Sequence, residues 1–189
     1  MASLFTHALV ALTAGQAGRE GWRKQPRFWI LLVLCSILPD IDIVGFYFGV
    51  RYGDLWGHRG MTHSLLFGAT AACVTVAFLP SEQRGLRLVV LFFLVTASHG
   101  VLDALTNGGL GVAFFSPFNP QRYFFAWRPI DVSPISMARF LSPRGIAILQ
   151  SEIVWVWTPC LILAFFITGW RWYRARKNEK KSQSMSSSA

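Results

Sequence analysis

Apolar residues fall in five long blocks, at about 3–17, 28–50, 61–79, 86–106 and 146–172, divided by short polar stretches and one long one at 107–145. Nearly continuous apolarity marks a helix buried on all sides, in protein or in lipid, whereas a half-solvated helix shows an apolar stripe every three to four residues. A membrane crossing takes about 20 residues. The pattern therefore predicts an all-α polytopic membrane bundle of about five membrane segments. The bundle takes in residues 1–172, and a basic then Ser-rich tail, 173–189, is expected to be disordered. The first block is short for a span, and its basic residues follow rather than precede it, so it reads as a retained segment and not a cleaved leader. The second block is broken at Pro39-Asp40, which predicts an interrupted helix beside protein or a polar cavity.

Composition agrees with the pattern: 53% of residues are hydrophobic and 14% charged, against about 25% charged in soluble domains. A formal net charge of +9 suggests nucleic acid until the charges are placed. Twelve of the 18 basic residues sit in the 18–27 loop, the 80–87 loop and the 171–181 tail, three segments on one side if each block crosses once. The positive-inside rule then puts the C-terminus in the cytoplasm, and no nucleic-acid partner is expected. Membrane lipids are the expected neighbours. Cys35, Cys73 and Cys160 are far apart in apolar surroundings, and form neither a CxxC metal pattern nor a disulfide framework.

Ionisable residues are costly in such segments, about 2.5–3.5 kcal/mol each at a helix centre, yet all four histidines and several acids lie against them. His7 opens the first block, Asp40 and Asp42 sit in Pro39-Asp40-Ile41-Asp42, and His58 and His63 bracket Arg59-Gly60-Met61-Thr62. His99 and Asp103 are four apart, about 40° on one helical face. His58 and His63 would be about 140° apart on a continuous helix, so at least one belongs to a non-helical lead-in, with Gly60 the break and Thr62 or Ser64 a cap. Glu152 opens the last block. With each block crossed once, these residues fall in the same half of the membrane, and a shared metal ion is the economical partner for His nitrogens and Asp oxygens. Arg59 would hold an anion such as phosphate. HExxH, GxSxG, Walker A and GxGxxG patterns are absent, which removes the common zinc-protease, serine-hydrolase and nucleotide-site readings. The Pro- and aromatic-rich 107–145 segment suggests a lid or an interfacial cap.

His7, Leu38–Asp42, the His-Arg-Gly-x-Thr-His-Ser run at His58–Ser64 and the Ser-His-x-x-x-Asp-x-Leu-Thr run at Ser98–Thr106 together resemble the YdjM-like family, over roughly residues 1–172. Its members are described as inner-membrane-associated metal-dependent hydrolases, some as LexA-binding. In ligand order the chain is also distantly similar to zinc-dependent phospholipase C and P1-type nucleases, but it has no histidine after His99, so one or two metals fit better than three. The resemblance implies a membrane-bound metal-dependent hydrolase, acting on a phosphoester of a lipid or membrane-proximal substrate. His7, Asp40, His58, His63, His99 and Asp103 would bind a divalent ion, zinc foremost and manganese as the alternative. Asp42 or Glu152 would act as base and Arg59 would steady the phosphoryl oxygens. The rival readings are a metal- or proton-coupled transporter and a regulatory membrane protein with a structural metal site.

Overall fold

The computed structural model describes residues 1–186 of the chain, and those residues are helical with irregular connections. Helix α1 (Leu4–Gly15) starts on Ser3, whose hydroxyl accepts from the Thr6 amide. A short turn of helix, α2 (Glu20–Arg23), leads into α3 (Pro26–Ile37), which opens on Pro26, where the missing amide costs nothing. At Leu38-Pro39 the α-helix gives way to an 11-residue 3-10 helix, Leu38–Phe48, ended by Gly49 in the left-handed region. The expected interruption therefore stands at Pro39, which cannot donate into the helix and crowds the turn before it.

Helix α4 (Leu65–Ala77) is capped by Ser64, which accepts from the Phe67 amide, and α5 (Leu86–Ala104) runs unbroken for 19 residues. After the long connection come α6 (Met137–Phe140) and α7 (Pro143–Glu152), then a π-helical turn at Ile153–Trp157, then α8 (Thr158–Ser186). Three stretches are long and apolar enough to cross a membrane: Pro26–Phe48, Leu86–Ala104 and Pro143–Asn178. Helices α1 and α4 are shorter; at 1.5 Å per residue the 13 residues of α4 rise about 20 Å, against a hydrocarbon thickness of about 30 Å. Helix α8 continues through the tail stretch expected to be disordered: Trp170–Ser186 contains no Pro or Gly and is rich in Arg and Lys, both good helix formers. Residues 187–189 of that tail lie outside the described residues.

Helices α1, α3, α4 and α5 enclose the main core, in which Ala11, Phe28, Leu32, Val76, Leu88 and Phe92 are buried together. Helix α8 leans on α1 and leaves Leu161, Ile162, Phe165 and Phe166 more than half exposed. A bare apolar flank of that size suits lipid, not water. The 107–145 connection folds back over the bundle through isolated bridges, Thr106 with Ile130 and Val112 with Tyr123. It is pinned to the loop before α4 at several points: the Ala113 amide donates to the Arg59 carbonyl, the Leu65 amide to the Phe114 carbonyl, and Arg122 to the carbonyls of His58, Tyr52 and Asp54. With so many backbone ties it is a fixed cap over the loop.

Candidate metal centre

Four separate elements deliver the polar side chains to one place. Helix α1 brings His7, the 3-10 turn after Pro39 brings Asp40 and Asp42, the loop before α4 brings His58 and His63, and α5 brings His99 and Asp103. Gly60 makes the loop possible. A Cβ there would lie 2.3 Å from the Leu55 carbonyl oxygen and 2.7 Å from that of Gly57. His58 and His63 both precede the α-helix, with Met61–His63 in a single 3-10 turn. This is the non-helical lead-in their five-residue spacing required, and it sets their rings edge to face with centroids 5.3 Å apart.

The hydrogen bonds at the centre have a direction. Asp42 accepts from His58 Nδ1 at 2.9 Å, from the Thr62 hydroxyl at 2.7 Å and from the Arg59 amide at 3.2 Å, while His63 Nδ1 donates to the Thr62 hydroxyl oxygen at 3.1 Å and lies 3.1 Å from Asp42 Oδ2. His99 donates its Nδ1 proton to the Ser36 carbonyl at 2.7 Å. A histidine that gives Nδ1–H away keeps a lone pair on Nε2, the arrangement metal-bound histidines show. The Nε2 atoms of His63, His99 and His7, and both oxygens of Asp40, are buried without a hydrogen-bond partner. Buried polar atoms are nearly always paired, so this group of orphans, all facing inward, calls for a missing partner.

The spacing suits an ion. His99 Nε2 lies 3.3 Å from Asp40 Oδ1, His7 Nε2 3.6 Å from Asp103 Oδ1, and His63 Nε2 3.7 Å from Asp40 Oδ1 and 3.8 Å from Asp103 Oδ2. These are long for hydrogen bonds. Ligands about 2.0–2.1 Å from a tetrahedral zinc stand about 3.3–3.4 Å apart. Three trios offer one ligand atom each within 4.8 Å of one another: His7–Asp40–His99, Asp40–His58–His63 and His63–His99–Asp103. They share members, so the arrangement forms one centre with room for one ion or two neighbouring ones. His7 and His99 stack with centroids 3.7 Å apart, a contact that suits two neutral rings. The donor set fits a divalent metal.

Two of the residues read from sequence as catalytic, Arg59 and Glu152, are tied into hydrogen bonds within the protein. Arg59 is fully buried in the left-handed backbone region (φ 64°) and all three arms of its guanidinium are used: Nε on Asp103 Oδ2 at 2.9 Å, Nη1 on the Gly108 carbonyl at 2.8 Å, Nη2 on Thr106 Oγ1 at 2.9 Å. Three of its five N–H donors are thus engaged, one of them on Asp103, which Arg59 holds in place. The partner is neither Asp42 nor Asp54, the acids near it in sequence, because the chain turns it toward α5. Glu152 is fully buried and accepts from the Ser3 amide and hydroxyl and from the Thr6 hydroxyl. It belongs to none of the three ligand trios and fastens the start of α1 to the end of α7. The adjacent Ala2 amide donates to Asp103 Oδ1 at 2.7 Å, so residues 2–3 bridge Asp103 and Glu152.

Sequence reasoning missed Ser36, Thr106, Gly108 and Arg122. Thr106 sits three residues after Asp103 and had a signal in that spacing; the Ser36 and Gly108 contributions are backbone carbonyls and left none. One cleft of about 260 Å³ reaches this centre from outside, and His58 is the cluster residue that lines it, beside Tyr52. Burial pushes the Tyr52 hydroxyl above its ordinary range, so it stays a neutral donor.

Residues 1–178 match the family model described as "YdjM inner membrane protein". The chain is 37% identical over 179 residues to "Inner membrane protein YbcI" of Escherichia coli (strain K12), covering 93% of this chain and all of that protein. No solved structure matches it. The chain belongs to the YdjM family of inner membrane proteins.

Proposed function

We propose that this YdjM-family membrane protein is a metal-dependent hydrolase that cleaves a phosphoester of a lipid or membrane-proximal substrate. The observation that carries the reading is the direction of the hydrogen bonds: Asp42, the Thr62 hydroxyl oxygen and the Ser36 carbonyl take the Nδ1 protons of His58, His63 and His99 in turn, while Nε2 of His63 and His99 is left buried and unpaired beside Asp40 and Asp103. His7, Asp40, His63, His99 and Asp103 would hold the ion, with His58 completing a second position. Zinc suits the nitrogen and oxygen donors. When bound, such an ion supplies Lewis acidity and a nucleophilic water at neutral pH.

The chain's own residues do the rest. Asp42 fixes the ring of His58 and, through Thr62, that of His63, and Arg59 with the Ala2 amide fixes Asp103. Asp40 Oδ2 is buried and has no partner, so it is the carboxylate oxygen free to accept a proton from an attacking water. Asp42, with three donors already on it, serves as a positioning residue. Burial of the cluster keeps bulk water out, which strengthens each electrostatic interaction inside.

A second reading has one observation in its favour. His58, His63, His99 and His7 form a continuous row of rings, with successive centroids 5.3, 4.7 and 3.7 Å apart, as a proton relay in a transporter would require. Elemental analysis of detergent-purified protein separates the two. One or two zinc or manganese ions in the wild type, lost in His99→Ala and Asp40→Ala, followed by turnover of a phosphoester panel, fits the hydrolase. A folded wild type that neither carries nor takes up metal overturns it and leaves the relay.

A further inference from the structure

The cleft that reaches His58 has an uncompensated charge. Arg139 and Arg144 line it together with Tyr52 and His58. Both arginines are exposed, and neither has a carboxylate within 4.0 Å among the described residues; no acid lines the cleft at all. A second recess of about 100 Å³ adjoins it, and the two share the wall Ser133-Pro134-Ile135. This recess has the opposite character. Leu4, Phe5, Ile135 and Phe140 line it, Phe5 and Phe140 with ring centroids 6.3 Å apart, and Leu4, Phe5 and Ile135 are about half exposed. A cationic pocket next to the metal centre thus opens on one side into an apolar one.

We propose that the two recesses are one site for an anionic amphiphile: a lipid-like molecule whose phosphoryl head lies between Arg139 and Arg144, facing His58, and whose alkyl chain lies across Phe5 and Phe140. Two guanidiniums with no protein acid match a phosphoryl oxygen set, and the apolar wall that continues from them matches a chain, not water. This names the substrate class of the proposed hydrolase and rests on that reading only for what happens to the bound head. Arg139 and Arg144, exposed in the cleft, are placed for the anion-holding task, while Arg59 is fully buried and bound to Asp103.

The test is calorimetric binding to protein in phosphatidylcholine nanodiscs, both stripped of metal and loaded with zinc. The probes are octylphosphonate, methylphosphonate and octyltrimethylammonium. A charge-assisted contact contributes about tenfold or more in affinity. Octylphosphonate is expected to bind more tightly than methylphosphonate, with octyltrimethylammonium not binding. The Arg139→Gln/Arg144→Gln variant should weaken octylphosphonate at least tenfold, in stripped and loaded protein alike, with zinc content unchanged. Phe140→Ala should narrow the gap between the octyl and methyl probes. Equal affinity for the two phosphonates would reduce the site to one for free phosphate and overturn the amphiphile. A double variant that binds octylphosphonate like wild type would overturn the site. Wild type that binds octylphosphonate through the arginines yet takes up no metal would retain the site while removing the hydrolase.

Discussion

Replacing Asp42 by Asn tests whether this carboxylate positions ligands or reacts. Oδ2 receives two donors, from the Thr62 hydroxyl and the Arg59 amide, the Thr62 oxygen in turn holding His63 Nδ1, and Oδ1 receives one, from His58 Nδ1. Asparagine keeps one acceptor oxygen and substitutes an NH₂ for the other. The least costly orientation leaves the oxygen with these two donors and points NH₂ at His58 Nδ1. His58 must then move its proton to Nε2 or rotate, and either way one ring is withdrawn from the centre. Loss of such an orienting partner weakens metal binding about 10–100-fold, about 1.4–2.7 kcal/mol. The metal-free fold loses about 1–3 kcal/mol through the displaced charge-assisted bond. Chelator competition gives the affinity, and thermal melts with and without zinc give the fold. Unchanged affinity in Asp42→Asn would refute the positioning argument. If turnover vanished while affinity held, Asp42 would be the base.

Three further outcomes follow from the same geometry. Asp40→Asn should lower metal content to below half of wild type while raising or leaving unchanged the melting temperature of metal-stripped protein, because both Asp40 oxygens are buried and unpaired and a neutral amide costs less to bury; a lower melting temperature in stripped protein would contradict the orphan assignment. Arg59→Lys keeps a charge but not the fork that spans Asp103, Gly108 and Thr106, so about 3–6 kcal/mol of stability should go, at about 1.5–3 kcal/mol for each of two lost charged hydrogen bonds, read as a lower melting temperature in detergent. Gly60→Ala drives a Cβ against two backbone carbonyls that cannot rotate away; a loss of about 1–3 kcal/mol with weaker metal binding is expected, and a wild-type melt and affinity would show the loop to be more yielding than the close approach implies.

The membrane bundle was legible because apolarity is written directly into composition and block length. The break at Pro39 was legible because proline's missing donor acts locally. The membership of the centre was legible too, since His99 and Asp103 share a helical face and His58 and His63 cannot lie on one helix together. What sequence could not supply was depth and length. Helices α1 and α4 are apolar but stop at Gly15 and Ala77, and stop signals such as a lone Gly or a loose turn are weak in a chain this rich in both. In the tail, Ser and Lys read as solvated coil, yet from Trp170 to Ser186 no Pro or Gly stands to break the helix.

Roles were less legible than membership, and Arg59 shows why. Between two histidines an arginine looks like an anion clamp, and its chemistry permits that. Only the backbone decides otherwise: a φ of 64° turns the side chain away from its neighbours in sequence and sends it to Asp103, 44 residues on. A left-handed arginine is uncommon, and such positions persist only where surrounding contacts over-determine them; here Asp42 holds the Arg59 amide, Ala113 binds its carbonyl, and three acceptors hold the guanidinium. Gly109 completes the fit, in the left-handed region with a would-be Cβ 2.6 Å from Arg59 Nη1. The same principle separates a metal centre from a polar core. Proximity of His and Asp is common to both. In a hydrogen-bonded core each nitrogen finds a partner; here the Nδ1 atoms of His58, His63 and His99 do, and the Nε2 atoms of His63 and His99 do not. That asymmetry leaves buried lone pairs facing two carboxylates, which a cation resolves and a further hydrogen bond, at 3.3–3.8 Å, does not.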